Sequence, residues 1–450
     1  MPSGGGLLQL VATGKQDAFL TGNPQVSFFK SVYRRHTNFA VESQAMFFDG
    51  TPNFGQRITC LVPRRGDLLG PMYLEVTLPV VKDMNGRVLS YTNSVGHALI
   101  QEISFEVGEQ EIDRQTGEWM EIWSQLTTPA GQRAALNEML GRVEPFNVVD
   151  IRPGASSEGL HITIPLQFYF CRNPGMYLPL LALQYAPIRI NITFRPLQHL
   201  FWVSPQLNPT PTAPWRPACT FQPDPSAKII NVILWGDYIH LDTEERRRFT
   251  TNSHEYLIEQ TQYTPPYSVG AQQATATIPV EFNHPIKEFL FVVQRDEMIN
   301  RNEWFNYSNL GIGEAVPTLV EPYINTITAP SRIDLIQSAK LQLDGFDRFP
   351  ERIPQYFRLT QPYEHHTSTP VNSFIYNYSF ALHPEDVQPT GTMNASRIDS
   401  IVWQIAMNPV LSNPIMDSWK QRGNCRITIY GRNYNVFRVI NGFGGVLYKI

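Results

Sequence analysis

VSPQLNPTPTAPWRPACTFQPDPS, residues 203–226, is the stretch on which the reading of this chain turns. Its seven prolines (Pro205, Pro209, Pro211, Pro214, Pro217, Pro223 and Pro225) each fix φ and remove a backbone donor, which excludes a helix and a central strand alike. The run reads as a stiff, extended connector of polyproline character. The sequence on both sides of it has one texture, short alternating segments punctuated by Pro, Gly and Asn. The expected organisation is an N-terminal arm (1–25), a first β-sandwich (26–202), the Pro-rich linker (203–226) and a second β-sandwich (227–450).

Size and composition agree with that division. A chain of 450 residues exceeds the comfortable size of one hydrophobic core. Charged residues are only 17% and prolines number 36, which disfavours long exposed helices and suits many short strands with turns. A formal net charge of −4 gives no electrostatic reason to bind nucleic acid. Cys60, Cys171, Cys219 and Cys425 are far apart and form no CxxC pair, so neither zinc nor a disulfide framework is implied. The opening MPSGGGLLQLVATGKQ lacks a basic n-region, and no apolar run reaches the length that spans a bilayer. A soluble chain made in a reducing compartment is expected.

Working outward, the first half shows clear period-two alternation. In MYLEVTLP, Leu74, Val76 and Leu78 face one way and Tyr73, Glu75 and Thr77 the other. QEISFEVGEQEID puts Ile103, Phe105 and Val107 on one face, and HITIPLQFYF does so with Ile162, Ile164, Leu166, Phe168 and Phe170. In IRINITFRP, Ile188, Ile190, Ile192 and Phe194 oppose Arg189, Asn191, Thr193 and Arg195. GEWMEIWSQL and AGQRAALNEMLGR carry helical spacing and read as short helices within loops. VSFFKSVYRRHTNFAVESQAMFF is aromatic and β-branched enough for strands. After the connector, strand patterns restart at KIINVILWGDYIHL and recur to GVLYKI, and Glu244, Glu245, Arg246, Arg247 and Arg248 read as a solvated turn or helix start.

A weak repeat links the halves. LIQEISFEVGEQEID begins at Leu99 and LIQSAKLQLDGFDRF at Leu335, with Ile103, Phe105 and Val107 opposite Ala339, Leu341 and Leu343. Two similar sandwiches of about eight strands each make a jelly-roll arrangement. The predicted fold class is therefore all-β: two consecutive eight-stranded antiparallel jelly-roll β-sandwiches, with short helices in loops.

Catalytic and cofactor motifs are absent; there is no Walker loop, GxGxxG, HExxH, GxSxG or EF-hand spacing. Glu364, His365 and His366 form the most metal-like cluster, but on an extended segment the two histidines would point apart, which favours a hydrogen-bonded role. Asp344 and Asp347 suit a Gly-containing turn. Glu118 and Glu121 share a helix face, whereas a glycosidase needs carboxylates opposed across a cleft. No enzyme, metal or cofactor is expected. The candidate functional residues are instead the sticky arm positions Leu7, Leu8, Leu10, Val11 and Phe19 and the basic cluster Arg34, Arg35 and His36. Sequons at Asn191, Asn306, Asn377 and Asn394 mark possible glycosylation sites.

Several stretches resemble one family. GGGLLQLVATGKQDAFLTGNPQVSFFKSVYRRHTNFA (4–40), GPMYLEVTLP (70–79), ISFEVGEQEID (103–113), FYFCRNPGMYLPLLALQYAPIRINITF (168–194), YSFALHPEDVQPTGTMNASRID (378–399) and YNVFRVINGFGGVLY (434–448) are similar to segments of major capsid proteins of nucleocytoplasmic large DNA viruses, of the phycodnavirus and iridovirus kind. The resemblance implies a double jelly roll whose homotrimers are pseudo-hexameric capsomers. It further implies that they tile an icosahedral virion shell over an internal membrane, assembled in the host cytoplasm. Implied partners are neighbouring capsomers, minor capsid proteins and the membrane-facing layer, with no direct nucleic-acid contact. The arm then becomes a tether at the inner base of the shell, and Arg34, Arg35 and His36 lie near that base. The alternatives are a minor capsid or vertex component of the same fold, and a carbohydrate-binding β-sandwich.

Overall fold

Alternating residues build two sandwiches that share a framework of eight strands each, one before residue 242 and one after it. The computed structural model describes residues 4–80, 90–143, 159–202, 227–309, 334–408, 410–413, 418–421 and 423–448. The first eight strands are β1 (Phe39–Met46), β2 (Arg57–Leu61), β3 (Leu68–Leu78), β4 (Ile100–Val107), β5 (Gln110–Thr116), β6 (Leu160–Pro165), β7 (Ile188–Phe194) and β8 (Asn231–Leu241). They form two antiparallel sheets, β1-β8-β3-β6 and β2-β7-β4-β5. The second eight are β9 (His254–Tyr263), β10 (Thr275–Pro279), β11 (Pro285–Arg295), β12 (Ile336–Leu343), β13 (Phe346–Asp347), β14 (Tyr376–Ser379), β15 (Ile401–Met407) and β16 (Cys425–Ile440). Their sheets are β9-β16-β11-β14 and β10-β15-β12-β13. Both sandwiches thus have the same strand order, 1-8-3-6 facing 2-7-4-5, which is a jelly roll made twice.

The topology moves the domain boundary. The Pro-rich linker expected at 203–226 lies outside the described residues. Strand β8 follows that run yet pairs with β1 on one side and β3 on the other, so it closes the first sandwich rather than opening the second. The eighth strand of this arrangement must lie between the first and third, and the first sandwich therefore extends to Leu241. The division comes at Asp242, whose carboxylate accepts from the Thr243 amide (2.7 Å) at the start of a charged helix, Thr243–Thr251. At the other end the first strand begins only at Phe39. Residues 1–38 are a compact unit separate from the rest, longer than the expected arm of 1–25, and Val26–Tyr33 form no strand.

The short repeat has a structural cause. Strands β4 and β12 are each the fourth of their sandwich, and each slips register one residue in, between Ile100 and Glu102 and between Ile336 and Ser338. Gln101 and Gln337, the glutamines of the shared Leu-Ile-Gln, are the bulged residues, and both are exposed. A bulge bends its strand at a fixed place. Beyond it Ile103, Phe105 and Val107 are buried, as are Ala339 and Leu341, while Leu343 is half-buried. The second hairpin then turns through Asp344 and Gly345, both at positive φ (49° and 82°), as a two-residue turn of the I′ kind requires.

Each sandwich has its own apolar core. Ile190 and Ile192 of β7 face Leu74 and Val76 of β3 in the first, and Phe289, Phe291 and Trp403 centre the second. Strand β16 serves both: Ile427 and Ile429 belong to the second core, Phe437 and Val439 to the first. The alternation read through HITIPLQFYF ends as a strand at Pro165. Leu166, Phe168 and Phe170 stay buried because the chain turns through Tyr169–Cys171 and packs its rings at a tilt on Phe105, 5.6 and 5.1 Å away for Phe168 and Phe170. Ile190 is fully enclosed, so Ile190→Arg should cost roughly 4 kcal/mol or more by burying an unpaired charge. A melting temperature equal to the parent's would show that its inward orientation is wrong.

Candidate functional site

The helix α1 (Gly117–Thr127) is the seam between the sandwiches. Thr116 caps it by accepting from the Trp119 amide (3.2 Å). Gly117 is needed at its first position, since a Cβ there would stand 2.2 Å from the His97 carbonyl oxygen. Met120 joins the first core, while Trp119, Ile122, Trp123 and Leu126 pack on Leu290, Val292 and Tyr430 of the second sandwich. The sequence suggested a helix in a loop; the helix is instead buried on almost every side, as one apolar around its circumference must be. Trp119 and Trp123 stack (5.6 Å, 20°), and the Arg432 guanidinium lies 3.6 Å from the Trp123 ring centre.

A buried ionic network surrounds that ring. The Glu259 carboxylate of β9 pairs with Lys287 and Arg432, and with Arg172 of the first sandwich at 3.2 Å. Asp113 of β5 accepts from the Thr261 amide of β9 at 3.1 Å, tying edge strand to edge strand, and burial pushes its carboxyl up to about 6. Lys287 and Glu288 are neighbours in sequence and both fully buried. Strict alternation would drive one of them into the core beside Phe289. A register shift between Ile286 and Glu288 bulges Lys287 out, so that both charges reach the network.

His366 sits among these charges, its Nδ1 2.8 Å from Glu385 and its Nε2 3.0 Å from Glu288. Burial opposes its charge, yet the Glu288 carboxylate and the hydrogen bonds to both glutamates outweigh it and raise the imidazole to about 9. A doubly donating imidazolium has no lone pair for a metal. His365 bonds the Leu382 carbonyl oxygen through Nδ1 (2.9 Å), and the segment is the end of a short helix, not an extended strand.

The helix carboxylates do not face each other across a cleft. Glu121 is sealed from solvent, its Oε2 2.7 Å from both Arg142 Nη2 and His97 Nδ1. Burial alone would raise its pKa; Arg142 and His97 hold the carboxyl down at about 2, and burial keeps His97 low. Glu118 pairs with Arg195 (2.7 Å), which stacks on Trp304. Asp344 accepts from the Ser400 amide (2.9 Å) and Asp347 from Gln342 (2.7 Å), both in the service of the hairpin.

The remaining sequence candidates are the arm, the basic cluster and the sequons. Within the unit 1–38, Leu7, Leu8, Leu10 and Val11 lie on the short helix Gly5–Val11, which buries no residue, and Phe19 is 94% exposed. Arg34, Arg35 and His36 are exposed, with His36 Nδ1 2.7 Å from the Thr37 carbonyl oxygen. The sequence reading missed Phe28, Phe29, Val32 and Tyr33, which it placed in strands and which are almost wholly exposed. Pro24 and the lack of strict alternation were the available signal. Three sequons are corrected by burial. Asn191 lies under Thr59 and Glu106 on the polar face of β7, Asn306 is hydrogen-bonded to Ser308, and Asn377 is fully enclosed beside Glu288. A glycan has no exit at those positions; Asn394 alone among the four is exposed.

The raised His366 value has a sign that can be checked. A histidine whose folded value exceeds its unfolded one, about 6.5, stabilises fully below 6.5 and loses that contribution as pH rises through about 9. The stability gap between the parent and His366→Gln should therefore be largest near pH 6 and shrink by up to about 3 kcal/mol by pH 10. Parallel denaturation curves across that range, with a constant gap, would contradict the bridge.

Comparison with known proteins places this architecture. Residues 27–242 match the family described as "Major capsid protein N-terminus", and residues 245–445 that described as "Large eukaryotic DNA virus major capsid protein". The two matches meet at the boundary that β8 and Asp242 define. The chain is 38% identical to the major capsid protein of Pyramimonas orientalis virus, covering 99% of this chain and 100% of the relative. It is 36% identical to that of Phaeocystis pouchetii virus, with 99% of each covered. Its fold superposes on a chain of the PBCV-1 virus capsid with a TM-score of 0.74 and 29% identity, over 94% of this chain and 100% of that one. The chain belongs to the family of major capsid proteins of large eukaryotic DNA viruses.

Proposed function

We propose that three copies of this chain close into a pseudo-hexameric ring, and that such rings tile an icosahedral shell over an internal membrane. The observation that carries this reading is the identical strand order of the two sandwiches. Three chains with two like-shaped sandwiches each present six comparable corners, so a threefold ring gains nearly sixfold edges and packs as a hexagon. Permanent interfaces of this kind bury upwards of about 2,000 Å². Glu118 and Glu121 of α1 are engaged by Arg195, Arg142 and His97, which supports a role in packing for both. Neighbouring rings, minor capsid proteins and the membrane-facing layer are the proposed partners, and assembly takes place in the host cytoplasm.

The unit 1–38 supplies a tether in this reading. It exposes Leu7, Leu8, Leu10, Val11 and Phe19, which a single chain leaves in water. Arg34 and Arg35 add exposed positive charge to the same unit, with His36 next to them in sequence. Deleting residues 1–25 is expected to leave a three-chain mass by light scattering and to reduce shell formation seen by electron microscopy. Recovery of the truncated protein as a misfolded single chain would overturn the tether.

A further inference from the structure

Charge is divided unevenly along the chain. Residues 1–38 carry Lys15, Lys30, Arg34 and Arg35 against the single acid Asp17, a net charge of +3. The whole chain carries −4, so the remaining residues carry −7. All four basic side chains are exposed, and among the described residues none of them forms an ion pair. Asp17 is engaged locally, its Oδ2 accepting from the Gly14 amide (2.7 Å).

The apolar side chains of the same unit are equally uncommitted. Every described residue from 4 to 38 except Asp17 is exposed. On the helix Gly5–Val11, steps of about 100° per residue place Leu7, Leu8, Leu10 and Val11 on one arc with Gln9 opposite, and the helix holds no charge. Phe19 and Leu20 project from the helical turn Ala18–Thr21. Phe28 and Phe29 are 91% and 99% exposed, and Val32 and Tyr33 follow them, interleaved with Lys30, Arg34 and Arg35.

Three apolar clusters that do not cover one another call for a partner that accepts side chains without a fixed shape. Lipid does this. An interfacial segment buries Leu and Phe at the headgroup boundary, while Lys and Arg reach the headgroups on flexible apolar stems. The unpaired positive charge selects a negative surface, where each such residue strengthens binding by about fivefold.

We propose that the unit 1–38 binds an anionic lipid bilayer directly, through its three apolar clusters and through Lys15, Lys30, Arg34 and Arg35. The proposal rests on the tether reading above and names what the tether holds. A single arm of this size binds lipid reversibly; three arms on one ring would hold far more firmly, because the second and third contacts form at high effective concentration.

The test floats the full chain through a sucrose gradient with vesicles of phosphatidylcholine alone or of phosphatidylcholine with added phosphatidylserine. The chain is expected to rise with the anionic vesicles, to stay down with the neutral ones, and to be released by high salt. Lys15→Gln, Lys30→Gln, Arg34→Gln and Arg35→Gln together should cut binding to the anionic vesicles at least about tenfold. Phe28→Ser with Phe29→Ser should also cut it. Both sets lie outside the sandwiches, so light-scattering mass and circular dichroism should match the parent. A parent that stays down with anionic vesicles, or rises equally with neutral ones, would overturn the proposal, as would either variant floating like the parent. A parent indifferent to lipid whose deletion of residues 1–25 still reduces shell formation would defeat the lipid assignment and spare the tether, leaving an acidic protein as its partner. Normal shells after that deletion would defeat the tether itself.

Discussion

A helix with no free side fixes the relation between the two sandwiches. Helix α1 gives Met120 to one core and Trp119, Ile122, Trp123 and Leu126 to the sheet of the other sandwich. Neither sandwich can pivot without uncovering two tryptophans, each a burial of several kcal/mol. The proposed ring of three would close only if every chain held its two halves at one angle, since a rotation that fails to close yields an open filament. The seam is therefore the element that converts a duplicated fold into a building unit. A flexible linker could join two sandwiches, but it could not set that angle.

Charges reinforce the seam more through direction than through strength. Buried ion pairs gain little net stability after desolvation, and their best-attested use is to specify one arrangement over others. Glu259 draws Arg172 from the first sandwich and Arg432 and Lys287 from the second, and Trp123 lies against the guanidinium of Arg432. His366 balances Glu288 and Glu385 in the same neighbourhood. Misplacing the halves would leave several of these groups without partners, at a cost of about 1–3 kcal/mol or more apiece.

Much of the fold was legible because period-two patterning is local. Ile188, Ile190, Ile192 and Phe194 announced β7, and the Leu-Ile-Gln repeat pointed to two equivalent strands whose common bulge explains it. What escaped was non-local. Nothing in KIINVILWGDYIHL says that it pairs with Phe39–Met46 almost two hundred positions earlier, so the proline run was mistaken for the boundary. Lys287 and Glu288 broke the alternation, but only the bulge shows why both could be buried. Among the candidate residues, the apolar positions of the arm are exposed in the single chain, whereas the burial of Asn191, Asn306 and Asn377 depends on the folded surroundings rather than on the sequon itself.

Strand β16 has a consequence for biosynthesis. Its inner end fills the second core while Phe437 and Val439 complete the first, and the strand Phe443–Val446 that folds back on it receives Gln110 from the opposite half. A ribosome making this chain emits the first sandwich long before the residues that finish its hydrophobic interior. Until residue 437 is translated, Tyr169 and its surroundings lack the ring of Phe437 against which they pack. The nascent amino-terminal half must wait with part of its greasy interior open to solvent, which makes maturation slow and a holding factor useful.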